Sequence, residues 1–84
     1  MGYQETWSLP LQRIEEYLLS QNGMEKIGEN HYRFGTCDIV LTALPHGAIG
    51  PIPVPRTLVE FAGEGKDTQI IHRRFTLRFV SAGG

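Results

Sequence analysis

Hydrophobic residues recur at three- and four-residue spacing between residues 9 and 21 of the 84-residue chain, with charged residues mostly between them. This periodicity is typical of an amphipathic helix with one apolar stripe. Ser8 suits an N-cap, Pro10 suits the first turn, and Asn22-Gly23 supplies a left-handed stop. The pattern therefore predicts a helix from Leu9 to about Gln21. Its apolar stripe consists of Leu11, Ile14, Tyr17 and Leu18.

Alternation of apolar and polar residues replaces the helical pattern after the helix and predicts β-strands. Two short strands, residues 24–28 and 31–34, flank a tight turn at Glu29-Asn30. Longer strands are predicted for residues 37–43 and 57–62. Because the connections are too short for a helical crossover, the sheet is expected to be a mainly antiparallel meander.

The segment from Thr68 to Val80 is predicted to be the last and longest strand, because its apolar residues are spaced by multiples of two. Residues 63–67 would form the polar turn that precedes it. The apolar face of this strand would carry Ile71, Phe75, Leu77 and Phe79, and the other face His72, Arg74, Thr76 and Arg78.

These elements predict an α+β fold of two layers, in which one N-terminal amphipathic helix packs on a mainly antiparallel meander sheet of four or five strands. Residues 1–84 are expected to form a single domain. Residues 1–7 would be an extended arm, with Trp7 folded back onto the body, and residues 81–84 a flexible tail. The sheet face away from the helix would carry Asp38, Thr42, Glu60, Arg74 and Arg78.

Residues 45–56 contain four prolines and two glycines and are predicted to form a long loop without secondary structure. Such loops are uncommon inside a small domain and are often binding elements. The alternate prolines Pro51, Pro53 and Pro55 favour an extended conformation. The apolar residues between them either close the core or form an exposed contact patch, and the sequence leaves both alternatives open.

The composition, with 40% hydrophobic and 20% charged residues, is that of an ordinary globular domain. The net charge of −1 argues against general binding to nucleic acid or to anionic membrane, although residues 1–55 carry a net charge of −3 and residues 56–84 one of +2. No apolar run approaches the roughly 20 residues of a membrane span. With Cys37 as the single cysteine, these features favour a cytoplasmic protein without a membrane partner.

Candidate catalytic groups are few. Cys37 is in phase with the apolar residues of its strand, and a buried cysteine of this kind is usually an unreactive small hydrophobe. His31, His46 and His72 lack the spacing of metal ligands. The sequence therefore predicts a protein that is not an enzyme and that holds neither a cofactor nor a metal.

The leading hypothesis is a small binding or assembly module that contacts a protein partner, or its own copy in a homo-oligomer, through the loop and an adjacent strand edge. A stiffened apolar loop and the lack of a catalytic constellation both favour it. The candidate partner-binding residues are His46, Ile49, Ile52, Val54 and Arg56.

Two alternatives stay open. The first is binding of an anion or of nucleic acid by His72, Arg74 and Arg78, because guanidinium groups bind phosphates bidentately. The second comes from the terminal Gly83-Gly84, which resembles the end of ubiquitin-like proteins and small sulfur carriers. The resemblance implies adenylation and thiolation of the Gly84 carboxylate. Those folds begin with a β-hairpin, whereas the helix comes first in the order of elements predicted for this chain.

Overall fold

Within residues 2–83, five strands and two helices make up the fold. The computed structural model describes residues 2–83, and the side chains of residues 2–80. The elements are β1 (Gly2–Trp7), α1 (Leu11–Leu19), β2 (Met24–Gly28), β3 (His31–Phe34), β4 (Cys37–Ile49), β5 (Ile52–Ala62) and α2 (Lys66–Gly83). All paired strands are antiparallel, in the order β1-β5-β4-β3-β2. The α+β class and the five-stranded antiparallel sheet are therefore confirmed.

Strands β2 to β5 form the predicted meander, and β1 pairs with the far edge of β5. Residues 2–7, expected to be a separate arm, are a strand of the sheet, with Gly2 opposite Ala62 and Trp7 opposite Thr57. The first element of the chain is therefore a strand and not the helix. The Trp7 ring lies against Phe75, with 5.2 Å between the ring centroids.

Helix α1 lies where the apolar stripe predicts it, although it is shorter. Its N-cap is Pro10, in an extended conformation without a side-chain cap, so the prediction of Ser8 as the cap is wrong. Ile14 and Leu18 are buried, as their spacing requires. The chain leaves the helix through Gly23, whose φ of +88° favours glycine.

The segment predicted as the last strand is instead helix α2. Ile71, Phe75 and Phe79 are buried, as predicted, but Leu77 is 57% exposed. A spacing of four residues places side chains on one face both in a strand and, approximately, in a helix, whereas a spacing of two does so only in a strand. Residues 81–83, predicted to belong to a flexible tail, are the last residues of α2. Gly84 lies outside the described residues.

One hydrophobic core lies between the sheet and the two helices, which pack on the same sheet face. Within residues 2–83, no element covers the opposite sheet face, and neither helix is long and apolar enough to cross a membrane. The buried core residues are Ile14, Leu18, Tyr32, Cys37, Ile39, Leu41, Val59, Phe61, Ile71, Phe75 and Phe79.

The first turn of α2 is attached to the turn between β3 and β4. Gly35 and Thr36 connect the paired residues Phe34 and Cys37. Gly35 has a φ of +59° and Thr36 does not have a positive φ, which is the pattern of a type II′ turn. The backbone N–H of Thr36 donates to Oδ2 of Asp67 over 3.0 Å. This contact fixes the start of α2 relative to the sheet.

Candidate functional site

The predicted loop is in fact a β-hairpin that extends beyond the rest of the sheet. β3 pairs with β4 as far as Val40, and β1 pairs with β5 as far as Thr57. Beyond these points β4 and β5 continue to pair with each other up to Ile49 and Ile52. The prediction of residues 45–56 as a loop without secondary structure is therefore wrong. We refer to residues 44–56 as the arm.

A glycine and a proline close the arm. Gly50 and Pro51 connect the paired residues Ile49 and Ile52, and Gly50 has a φ of +60°. A proline cannot adopt the second positive φ of a type I′ turn, so the turn is type II′, with glycine at its first central position. The twist of this turn matches that of the flanking strands.

The prolines of β5 are compatible with a strand at the edge of a ribbon. Proline lacks an N–H, so a strand tolerates it where that group would point away from its neighbour. Pro53 is paired with Ala48, and Pro55 lies opposite a bulge that contains Pro45 and His46. The outer edge of β5 thus lacks hydrogen-bond donors and resists the addition of another strand. The arm is therefore suited to contacts through its faces rather than through this edge.

One face of the arm is apolar and exposed. Directly paired residues of an antiparallel sheet point to the same face, and residues alternate between faces along each strand. Ile49 and Ile52 form such a pair, and Val54 follows Ile52 on the same face. Ile49 is 71% exposed and Ile52 62% exposed. Four of the candidate residues, Ile49, Ile52, Val54 and Arg56, thus share one face.

The apolar face of the arm continues into the uncovered face of the sheet, because β5 has no bulge between Ile52 and Ala62. We call this uncovered face the open face. Three adjacent rows of paired residues cross it. They consist of Arg56 with Leu44, of Leu58 with Thr6 and Thr42, and of Glu60 with Gln4 and Val40.

Charges on the open face are partly paired. Nε of Arg33 donates to Oδ1 of Asp38 over 2.8 Å, and this hydrogen bond lowers the pKa of the Asp38 carboxyl. Within the described residues, neither Arg56 nor Glu60 forms an ion pair. The Arg56 stem crosses Gly47, where an added Cβ would lie 3.1 Å from its Cδ. The charges of Arg56 and Glu60 are thus available to a partner.

A shallow depression of about 240 Å³ lies near the end of the sheet opposite the arm. The paired residues Gly2 of β1 and Ala62 of β5 line it, and their small side chains leave this space open. A side chain at Gly2 would collide with the backbone carbonyl of Phe61, so this position requires close approach of two strands. The remaining lining residues are Tyr3, Gln4 and Glu60.

The basic residues predicted to share one strand face lie in α2, whose helical geometry directs them to different sides. His72 points to β1, where its ring stacks on Tyr3 at 3.7 Å between centroids and its Nε2 lies 3.0 Å from Oε2 of Glu5. Arg74 and Arg78 are four residues apart, and both lie close enough to Tyr17 of α1 for their charges to act on its hydroxyl. The prediction of one basic stripe that includes His72 is therefore wrong.

Arg78 lines a groove of about 250 Å³ between α1 and α2, together with Arg13, Tyr17 and Ser20. Burial raises the pKa of the Tyr17 hydroxyl, and the positive charges of Arg74 and Arg78 oppose this rise. Glu16 and Phe79 also line the groove. Among the described residues, none of the three arginines forms an ion pair.

Elsewhere in the chain, side chains that could take part in catalysis are buried or form structural hydrogen bonds. Cys37 is fully buried, and this burial raises the pKa of its thiol. Tyr32 donates its hydroxyl to the carboxylate of Glu15, which also pairs with Lys26; these hydrogen bonds lower the pKa of Glu15, while burial raises that of Tyr32. Within residues 2–83, no three His, Cys, Asp or Glu side chains are grouped so that they could hold a metal ion.

Comparison with known proteins does not assign the chain to a family. The sequence matches no family model, and no curated protein is significantly similar to it. The functional proposals below therefore rest on the geometry of this chain.

Sequence reasoning found the apolar residues of the arm but missed Leu58 and Arg13. Leu58 alternates with Val59 and Phe61, so period two already placed it on the outer face; the signal was available. The contribution of Arg13 depends on the position of α2, which the strand prediction excluded.

Proposed function

We propose that this chain is a small non-catalytic binding module that contacts a protein partner, or its own copy, through the arm and the open face. The supporting observation is the continuity between the apolar face of the arm and a sheet face that no described element covers. The proposal differs from the sequence-based hypothesis in one respect, because it uses a face of the sheet and not a strand edge.

The exposed side chains of the arm supply the energetic support. Complete burial of an isoleucine side chain contributes about 1.5–3 kcal/mol relative to its exposed state. Ile49 and Ile52 are exposed at the end of a ribbon whose turn and prolines restrict its conformations. Ordering the arm on binding should therefore cost little conformational entropy, so most of the burial energy would appear as affinity.

The Ile52→Asp, Val54→Asp double variant tests this proposal. We expect it to weaken association with the partner by at least about tenfold, because two charges would enter an apolar contact. The measurements are the solution mass of the purified protein and the proteins retained by it in affinity capture.

The matched control is the Leu19→Asp, Ile27→Asp variant, which places two charges at exposed apolar positions outside the arm. Association that is lost in the arm variant and retained in the control would support the proposal. Identical mass and identical retained proteins for the wild type and both variants would overturn it.

The groove between α1 and α2 supports a second candidate function, the binding of a phosphate-bearing anion. Arg13 and Arg78 line the groove, and Arg74 lies one helical turn before Arg78, near Tyr17. Within the described residues, these three guanidinium groups have no intramolecular ion pair. With Glu16, the local charge is about +2, which a phosphate dianion would balance. The like charges of Arg74 and Arg78, four residues apart, disfavour the helix unless an anion lies between them.

The Arg74→Gln, Arg78→Gln double variant tests the anion proposal by calorimetric titration with pyrophosphate. We expect affinity to fall at least about tenfold, because each charge-assisted hydrogen bond contributes about 1.5–3 kcal/mol. Arg73→Gln is the control, because it removes one exposed charge from the same helix. Absence of binding to the wild type, or equal affinity of all three proteins, would contradict this function.

The sulfur-carrier role stays a prediction. Gly83 ends α2, and Gly84 lies outside the described residues.

A further inference from the structure

We propose that the occupant of the open face is a second copy of this chain, stacked on it with antiparallel strands about a two-fold axis. The proposal rests on the function proposed above and names the partner. Its basis is the order of Arg56, Leu58 and Glu60 on β5, which places a cation and an anion on either side of an apolar residue.

The two charges select one orientation of the two copies. In a symmetric face-to-face pair whose strands are aligned, the two-fold axis lies in the interface, either along the strands or across them. An axis along the strands that passes over β5 would place Arg56 over the same arginine of the second copy, and Glu60 over the same glutamate. An axis across the strands, passing over Leu58, reverses the strand direction and places Arg56 of each copy over Glu60 of the other. Of these two arrangements, only the second pairs opposite charges.

The neighbouring rows fit the same arrangement. The row of the axis consists of Leu58, Thr6 and Thr42, whose side chains are small or apolar. Leu44 is in the row of Arg56 and Val40 in the row of Glu60, so the reversal also places Leu44 of one copy over Val40 of the other. In the same two rows, therefore, the charged residue faces an opposite charge and the apolar residue of β4 faces an apolar residue.

The arm reaches the depression in this arrangement. One step beyond Arg56 lies Val54, and one step beyond Glu60 lies Ala62. The reversal therefore places Val54 of each copy over Ala62 of the other, beside the depression that Gly2 and Ala62 line. Because each copy carries both the apolar arm and the depression, a second copy of the chain would account for both features.

Charge reversal tests the arrangement by sedimentation equilibrium. We expect a dimeric wild type, and a dissociation constant raised more than about a hundredfold by Arg56→Glu or by Glu60→Arg, since like charges would then face each other twice. The variant that carries both substitutions restores the opposite-charge contacts, so its dissociation constant should return to within about tenfold of the wild-type value. Far-ultraviolet circular dichroism of each variant tests whether the substitutions leave the fold intact.

A cysteine pair tests the position of the axis. Leu58→Cys should be cross-linked to its symmetry mate by a short bifunctional thiol reagent, because each copy places this residue opposite itself and stacked sheets lie about 10 Å apart, too far for a direct disulfide. Val40→Cys should not, because it would lie roughly 16 Å from its symmetry mate, about 13 Å along the strand and about 10 Å between the sheets. Cross-linking of both variants alike would overturn the arrangement, as would a double charge variant that stays monomeric.

The dimer and the binding function fail separately. A wild type that is monomeric at every concentration overturns the dimer. If such a monomer retains another protein that the Ile52→Asp, Val54→Asp variant does not, the binding function stands while the dimer falls.

Discussion

Replacing Phe75 by alanine is expected to lower the free energy of unfolding by about 3–5 kcal/mol, the usual loss for a fully buried phenylalanine. Phe75 is 0% exposed, and its ring lies 4.8 Å from that of Phe79 and 5.5 Å from that of Phe61, measured between centroids. It joins α2 to both the sheet and α1. The loss can be measured by urea denaturation, followed by circular dichroism.

Leu77→Ala is the control for this prediction, because a strand and a helix place Leu77 on opposite sides. In the predicted strand Leu77 shares the face of Phe75, whereas in α2 it is 57% exposed. We expect Leu77→Ala to change the free energy of unfolding by less than about 0.5 kcal/mol. Comparable losses for the two variants would contradict the helical position of residues 68–80.

Gly35→Ala is expected to lower the free energy of unfolding by about 3 kcal/mol. A residue with a side chain at the first position of a type II′ turn is strained by about 1–3 kcal/mol. In addition, the new Cβ would collide with the carboxylate of Asp67 and break its hydrogen bonds with Thr36. The start of α2 would then lose its attachment to the sheet. Thermal and urea unfolding would measure this loss.

Gly50→Ala is the matched control, because Gly50 occupies the same position of the same type of turn with nearly the same φ. No atom lies within 4 Å of a Cβ added there. The tip of the arm can also rearrange without disturbing the core. We expect a loss of about 1 kcal/mol. Equal losses for the two variants would show that the contact with Asp67 does not stabilise the protein.

Local pattern predicted most of the meander and α1, and it failed where two structures share a spacing. Ile71, Phe75 and Phe79 recur at four-residue intervals, which suit a helix and a strand alike. The residue that decides between them is Leu77, which fits only the strand, and the packing of α2 overrides it. The correct indication was Asp67 near the start of the segment, an acidic residue typical of a first helical turn.

The prediction of residues 45–56 as a loop is wrong for a different reason. Proline and glycine interrupt strands in the interior of a sheet, and residues 45–56 are rich in both. A two-stranded ribbon with free outer edges tolerates prolines at alternate positions, but the sequence does not reveal that β1 and β3 end before it. The apolar residues of the site were therefore predictable, whereas their common face was not.

The open face also depends on a pairing that local pattern cannot indicate. Residues 1–7 contain the alternating Tyr3, Glu5 and Trp7, but nothing near them in sequence can serve as their neighbour. Their partner is β5, and both helices then occupy one side of the completed sheet.

The pairing of β1 with β5 has a consequence for the order in which the chain folds. Each hairpin of the meander joins neighbouring segments, whereas Gly2 pairs with Ala62, which lies 60 residues later in the sequence. Closing so long a loop is entropically costly before other contacts form, and it requires a β5 that is already in place. We therefore expect β1 to leave the ribosome before β5 and to join the sheet late. During synthesis, β1 therefore waits longer for its pairing strand than any of the other four described strands.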